Sequence, residues 1–114
     1  MSASNQPLKG ISISFQTFLQ QASGHAQAWM AAVQGLDVAS ALDKKTAEPA
    51  YLAVLAALRM ESGIPFHVSS AKQAGATREE IISAVLVGLP AAGQVVIQVL
   101  PAALAAYDEA PSGG

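Results

Sequence analysis

Residues 42–81, LDKKTAEPAYLAVLAALRMESGIPFHVSSAKQAGATREEI, decide how this chain is read. Asp43 or Thr46 is placed to cap a helix running to about Met60, with Leu52, Leu55 and Leu58 contributing to its buried side. If Thr46 is the cap, Pro49 falls at the third helical position, where its missing N–H has no intrahelical partner to lose. Ser62 and Gly63 interrupt the pattern, and Pro65 suits the first turn of a following helix that ends at Gly75. Thr77 and Glu80 then form a capping box, in which the hydroxyl and the carboxylate each accept a hydrogen bond from an otherwise orphan backbone N–H. The box opens a further helix carrying Ile81, Ile82, Val85 and Leu86.

Outward from this segment the pattern stays helical. Ile11, Phe15, Phe18 and Leu19 make an apolar stripe over a first helix spanning about 11–21. A break is expected at Ser23 and Gly24, followed by a helix from about His25 that turns Trp29, Met30 and Val33 inward and stops near Gly35. Residues 36–42 add at most a short turn. Beyond Gly93 lies another helix, in which Pro101 predicts a kink or break near Ile97. Aromatic residues make up only 5% of the chain, 24 alanines favour helix, and alternating strand patterns are nearly absent. The expectation is an all-α domain of about six helices covering residues 1–114, with flexible ends at about 1–8 and 110–114.

Composition narrows the function. Charged residues are 12% against 52% hydrophobic, about half the charged share of an average soluble domain. A lone protomer with so few charges leaves apolar surface in water, so a homo-oligomer joined through apolar helices is expected. The net charge is −2 and the six basic residues are scattered, a poor footprint for nucleic acid. With no cysteine, disulfides, thiolate metal sites and a thiol nucleophile are excluded. No charged segment followed by an apolar run and cleavage site is visible at the start, so a cytoplasmic location is the default expectation. Residues 81–107 lack any charge, but Gly88, Pro90 and Gly93 in the middle, with Gln94 and Gln98, favour two shorter buried helices over a membrane span.

Residues 42–89 resemble the core of the carboxymuconolactone decarboxylase and AhpD-like (alkylhydroperoxidase D-like) family. The resemblance rests on His67-Val68, on the run from Gly75 through Glu80 to Ile81, and on Leu89 to Gly93. It implies an AhpD-like helical domain, assembling as a trimer or hexamer. In AhpD-like members the motif is Cys-x-x-Cys-x-x-x-His, with a glutamate twelve residues before the first cysteine. Placed on that motif, His67 matches the histidine and Glu48 the glutamate, whereas Met60 and Gly63 stand where the cysteines would be. A thioether and a hydrogen atom cannot become thiolates, so the peroxide-reducing chemistry that the resemblance implies for complete members is ruled out. The branch typified by carboxymuconolactone decarboxylase itself also lacks the cysteine pair, so resemblance to that branch implies a lyase acting on a small organic acid or lactone, although Ile64-Pro65-Phe66 before His67 is apolar where that branch has polar and basic residues.

The candidate catalytic residues are therefore His67 and Glu48, an imidazole near a carboxylate being suited to proton transfer near neutral pH. Each has a plainer reading: His67 as a hydrogen-bonded core residue beside Ile64, Val68, Ala71 and Ala74, and Glu48 as a first-turn carboxylate favoured by the helix dipole. Arg59, Met60 and Gly63 are the candidate substrate-binding residues. Arg59 is the cation nearest in sequence for a carboxylate-bearing ligand, although Arg59 and Glu61 also suit a solvated pair, and Met60 suits filling of core volume. His25 and Trp29 share a helix face and are read as core; Gln94 and Gln98 suit an interface between subunits. No metal site and no cofactor is expected, because two distant histidines without clustered carboxylates do not make a ligand set. The competing class is a non-catalytic oligomer that binds a small molecule or a partner.

Overall fold

The computed structural model describes residues 11–112 and is all-α. The frayed segment expected at 1–8, and Gly113 and Gly114 of the expected tail, lie outside the described residues. Helix α1 (Ile13–Gln21) is capped by Ser12, whose hydroxyl accepts from the Phe15 N–H at 3.1 Å. A single residue, Ala22, ends α1 and starts α2 (Ser23–Ala39). The break thus falls just before Ser23 and Gly24, and α2 runs on through Gly35. A helix-interior glycine costs about 1 kcal/mol relative to alanine, and that cost alone does not stop a helix lacking a nearby proline.

Asp43, rather than Thr46, caps α3 (Lys44–Ala57), its carboxylate accepting from the Thr46 N–H at 2.8 Å. Pro49 consequently sits in the second turn instead of the first, where its missing N–H leaves the Lys45 carbonyl without the usual helical donor. The helix closes on Arg59, which adopts a left-handed conformation (φ 57°). There the Arg59 N–H donates to the Ala56 carbonyl and the Met60 N–H to the Leu55 carbonyl, a Schellman arrangement in which glycine is the usual residue. A short 3₁₀ turn (Glu61–Gly63) leads directly into α4 (Ile64–Gln73). This helix ends in a second Schellman arrangement, with Gly75 at φ 105° and the Ala76 N–H donating to the Ala71 carbonyl.

Both halves of the Thr77 and Glu80 capping box are present at the start of α5 (Arg78–Leu86). After α5 come a one-turn helix α6 (Leu89–Ala92), a 3₁₀ segment (Gly93–Val99) and α7 (Leu100–Glu109). Pro101 stands in the first turn of α7, so the break it predicts falls at the Val99–Leu100 junction, slightly after Ile97. The uncharged run passes a length and hydropathy test for a membrane span between Arg78 and Glu109, but it is divided into these separate elements and folded into one globular core.

That core is built by α3, α4, α5, the 3₁₀ segment and α7. Leu52, Ile64, Val68, Ile81, Val85, Val96 and Val99 are completely buried, joined by Leu55, Ala56, Ala71, Ala76 and Ala103. Polar links fasten the end of α7 to it. The Lys72 ammonium donates to the carbonyls of Tyr107 and Ala110 at 2.8 and 2.9 Å, the Tyr107 hydroxyl donates to the Ala76 carbonyl, and Arg78 grips Asp108 through two bonds. Ala110 is thus held, although it was expected to begin a flexible tail. Three further expectations are corrected. Leu58 is 63% exposed, because it is the C-cap residue and falls about 120° around the α3 axis from Leu52. Trp29, Met30 and Val33 are exposed rather than inward, and His25 is exposed with them. Helices α1 and α2 pack chiefly on each other as an arm, and Ala26 is the one buried residue of α2.

Candidate functional site

Helices α3 and α4 lie side by side, bringing the first half of α3 against the middle of α4. Glu48 and His67, 19 residues apart in sequence, meet there with Oε1 and Nδ1 at 3.0 Å. The other carboxylate oxygen, Oε2, accepts from the Ser70 hydroxyl at 3.0 Å. Ile64, Val68 and Ala71 on the inner face of α4 are buried and fix the helix rotation that turns His67 and Ser70 toward Glu48. The ring of Tyr51, one turn beyond Glu48 on α3, rests against the imidazole with centroids 4.4 Å apart, and Phe66 approaches edge-on at 5.2 Å.

The hydrogen bonds decide which atom donates. Burial acts to raise the Glu48 carboxyl, but hydrogen bonds from His67 and Ser70, with help from the nearby Lys44 charge, outweigh it and hold the group below its ordinary value. Glu48 is therefore an ionised acceptor near neutral pH. An ionised carboxylate only accepts, so Nδ1 is the donor, and in the neutral tautomer with that bond the Nε2 lone pair is free. The His67 side chain retains 26% of its surface and Glu48 15%, so the imidazole is reachable while its partner is largely shielded. Such a pair can take a proton at Nε2, with the resulting imidazolium stabilised by the carboxylate behind it.

The remaining candidates stand differently. Arg59 pairs loosely with Glu61 at 3.7 Å, both side chains being about half exposed, and it makes no hydrogen bond to Glu48 or His67. Met60 is 50% exposed and so does not fill core volume. A Cβ placed on Gly63 would meet the Leu55 side chain at 3.4 Å, an ordinary van der Waals contact. Gln94 and Gln98 are exposed. Among the described residues no group of histidine and acidic side chains is arranged to hold a metal.

Two residues that matter were not singled out from sequence. Ser70 lies one turn after His67 on α4, and Tyr51 one turn after Glu48 on α3; the i, i+3 spacing that places each beside its neighbour was the available signal. Ser70 also borders an open groove of about 400 Å³ between α4 and the end of α7, lined by Phe66, Gln73, Ala106, Glu109 and Pro111 among others. A second groove of about 460 Å³ runs past Lys72, Gly75 and Tyr107. Glu48 and His67 line neither.

The family model described as the carboxymuconolactone decarboxylase family matches residues 24–108, from the start of α2 almost to the end of α7. No curated protein and no solved structure matches the chain at a significant level. The matched region includes the whole core and both helices that carry Glu48, His67 and Ser70. With most of its length covered, this chain belongs to the carboxymuconolactone decarboxylase family, as a member without cysteine.

Proposed function

We propose that the protein performs acid–base chemistry on a small organic acid, lactone or related carbonyl compound, with His67 as the proton-transfer group and Glu48 as the residue that orients it. The observation that carries this reading is the 3.0 Å contact between Glu48 and a partly exposed His67. In proton abstraction, Nε2 takes the hydrogen from the carbon beside a carbonyl and the bonding pair moves into the enolate. In decarboxylation, Nε2 takes the proton of the substrate's carboxylic acid, the bond to the carboxylate breaks as CO₂ leaves, its electron pair forms the enolate, and the imidazolium so formed returns that proton to carbon. Neither route needs a thiol. Arg59, Met60 and Gly63 are retained as substrate-binding candidates, with Arg59 the group suited to a carboxylate.

A second reading, a non-catalytic oligomer that binds a small molecule, is favoured by the two grooves, which bypass the pair. The test is a panel of small lactones, β-keto acids and unsaturated acids assayed for turnover and for solvent-deuterium incorporation. The proposal expects activity that falls at least about 100-fold in His67→Ala and substantially in Glu48→Gln. Turnover indifferent to both substitutions, or tight binding of a panel compound with no chemistry, would favour the second reading.

A further inference from the structure

Two side chains that touch the acid–base pair also wall the open groove of about 400 Å³ between α4 and the end of α7. Phe66 meets the His67 ring edge-on at 5.2 Å, and the Ser70 hydroxyl donates to Glu48 Oε2 at 3.0 Å. The groove thus ends one side chain short of the pair, and its volume falls within the roughly 300–1,000 Å³ usual for small-molecule sites. Its lining has two characters. Phe66, with 47% of its surface exposed, joins Pro65, Ala106 and Pro111 in an apolar wall. The polar lining is Ser69, Ser70, Gln73 and Glu109, and Glu109 is the only charged residue among the described residues that line the groove.

These polar groups lean toward acceptance. A carboxylate at Glu109 only accepts. Ser70 commits its one hydrogen to Glu48, so toward any ligand it offers lone pairs alone; Ser69 and Gln73 can act either way. A ligand must therefore bring donors, and must bring them without negative charge, because a free carboxylate would meet Glu109 and find no cation in the lining. The Lys72 ammonium does not serve. It donates to the Tyr107 and Ala110 carbonyls at 2.8 and 2.9 Å, lies 4.3 Å from the Tyr107 ring centroid, and lines the other groove. By holding carbonyls at the C-terminal end of α7 it also occupies the feature that would draw an ammonium ligand. Such a ligand is left with an exposed Glu109, and an exposed ion pair contributes little. Hydroxyl groups on an uncharged ring supply the donors without the charge, with the faces of the ring against Phe66.

We infer that this groove binds an uncharged, hydroxyl-bearing carbonyl compound, of the class of a polyhydroxylated lactone, and presents it to His67 past Phe66 and Ser70. The hydroxyls and the absence of charge are read from the groove alone, whereas the carbonyl rests on the acid–base function proposed above. Of the two routes given there, such a compound follows proton abstraction: Nε2 takes the hydrogen from the carbon beside the carbonyl, and the bonding pair moves into the enolate.

The test titrates freshly dissolved γ-ribonolactone into the nitrogen-15-labelled full chain. Three comparison compounds are its ring-opened sodium salt, γ-butyrolactone, which lacks the hydroxyls, and serinol, a small hydroxylated amine. Ribonolactone should move the backbone amides of Ser69, Ser70, Gln73 and Glu109, with a Kd of roughly 1–10 mM for so few atoms. γ-Butyrolactone should bind at least about 10-fold more weakly, the factor that two lost hydrogen bonds supply, and the salt and serinol should also bind more weakly than ribonolactone. Glu109→Gln should narrow the gap between ribonolactone and its salt, and Gln73→Leu should weaken ribonolactone while leaving γ-butyrolactone unchanged. A comparison compound that binds as tightly as ribonolactone overturns the inference, as does a ribonolactone that leaves the four amides unmoved. Solvent deuterium entering ribonolactone beside its carbonyl, and absent with His67→Ala, separates this inference from the function on which it rests. Groove binding without deuterium uptake upholds the site and counts against the acid–base function. Uptake that requires His67 but survives Gln73→Leu, with no groove amide moved, upholds that function and overturns the site.

Discussion

Glu48 sits between two donors, and that position makes the stability of the fold depend on pH in a definite direction. Burial opposes its ionisation, and the bonds from His67 and Ser70 reverse the balance. Because its folded value is depressed, the stability it supplies is fully present above the ordinary carboxyl value of 4.5 and is lost as pH falls through the lower folded value. Glu48→Gln should thus unfold more readily than wild type at pH 7, by about 1–3 kcal/mol, with the gap narrowing in acid. Urea titrations at a series of pH values check this, and a gap constant down to pH 3 would contradict it. Arg59 makes a second residue-scale prediction. Its left-handed backbone (φ 57°) strains any side chain with a Cβ, so Arg59→Gly should raise stability by up to about 1 kcal/mol, seen as a higher Tm; an unchanged or lower Tm would show that the arginine side chain outweighs the strain. The pairing of Glu48 with His67 was legible in the sequence only through the family spacing, since residues 19 apart carry no local signal. Ser70 needed the fold, because its role depends on which face α4 turns toward α3.

Helix starts were the most legible elements, and for a local reason. Asp43 and Thr77 act on N–H groups within three residues, so the sequence window that contains the cap contains its whole mechanism. Thr77→Ala should cost about 1 kcal/mol, measurable as a lower urea midpoint with unchanged slope; no change would mean that α5 is held by packing alone. Helix stops were less legible. Gly35 does not end α2, whereas Arg59, which has no stop signal of its own, ends α3 through a backbone arrangement. The inward assignment of Trp29, Met30 and Val33 failed for a related reason: periodicity identifies an apolar face but not the surface that covers it. The buried faces of α3 and α4 were read correctly at Leu52, Leu55, Ile64 and Val68, where the covering surface is the neighbouring helix of the same chain.

At the scale of the whole molecule, a helical core that places two polar side chains on facing helices remains intact without the cysteines of AhpD-like members. Met60 and Gly63 occur around the 3₁₀ turn between α3 and α4, whereas Glu48 and His67 lie within the two helices, so loss of the thiols need not disturb the packing that aligns the pair. The all-α class was legible from composition and periodicity because each helix shows its apolar face within its own sequence window, although the core itself packs α4 on α7 and α3 on α5; the projecting arm was not legible, since it makes few contacts with that core. What the account requires above all is that Glu48 hold His67 in a single neutral form with Nε2 unprotonated. Nitrogen-15 NMR of the imidazole side chains reads this directly, and a His25→Gln variant assigns the remaining signal to His67. At pH 8 the account predicts a protonated Nδ1 and a bare Nε2, with that preference lost in Glu48→Gln. A His67 protonated on Nε2, or one whose two forms are unaffected by Glu48→Gln, would contradict it.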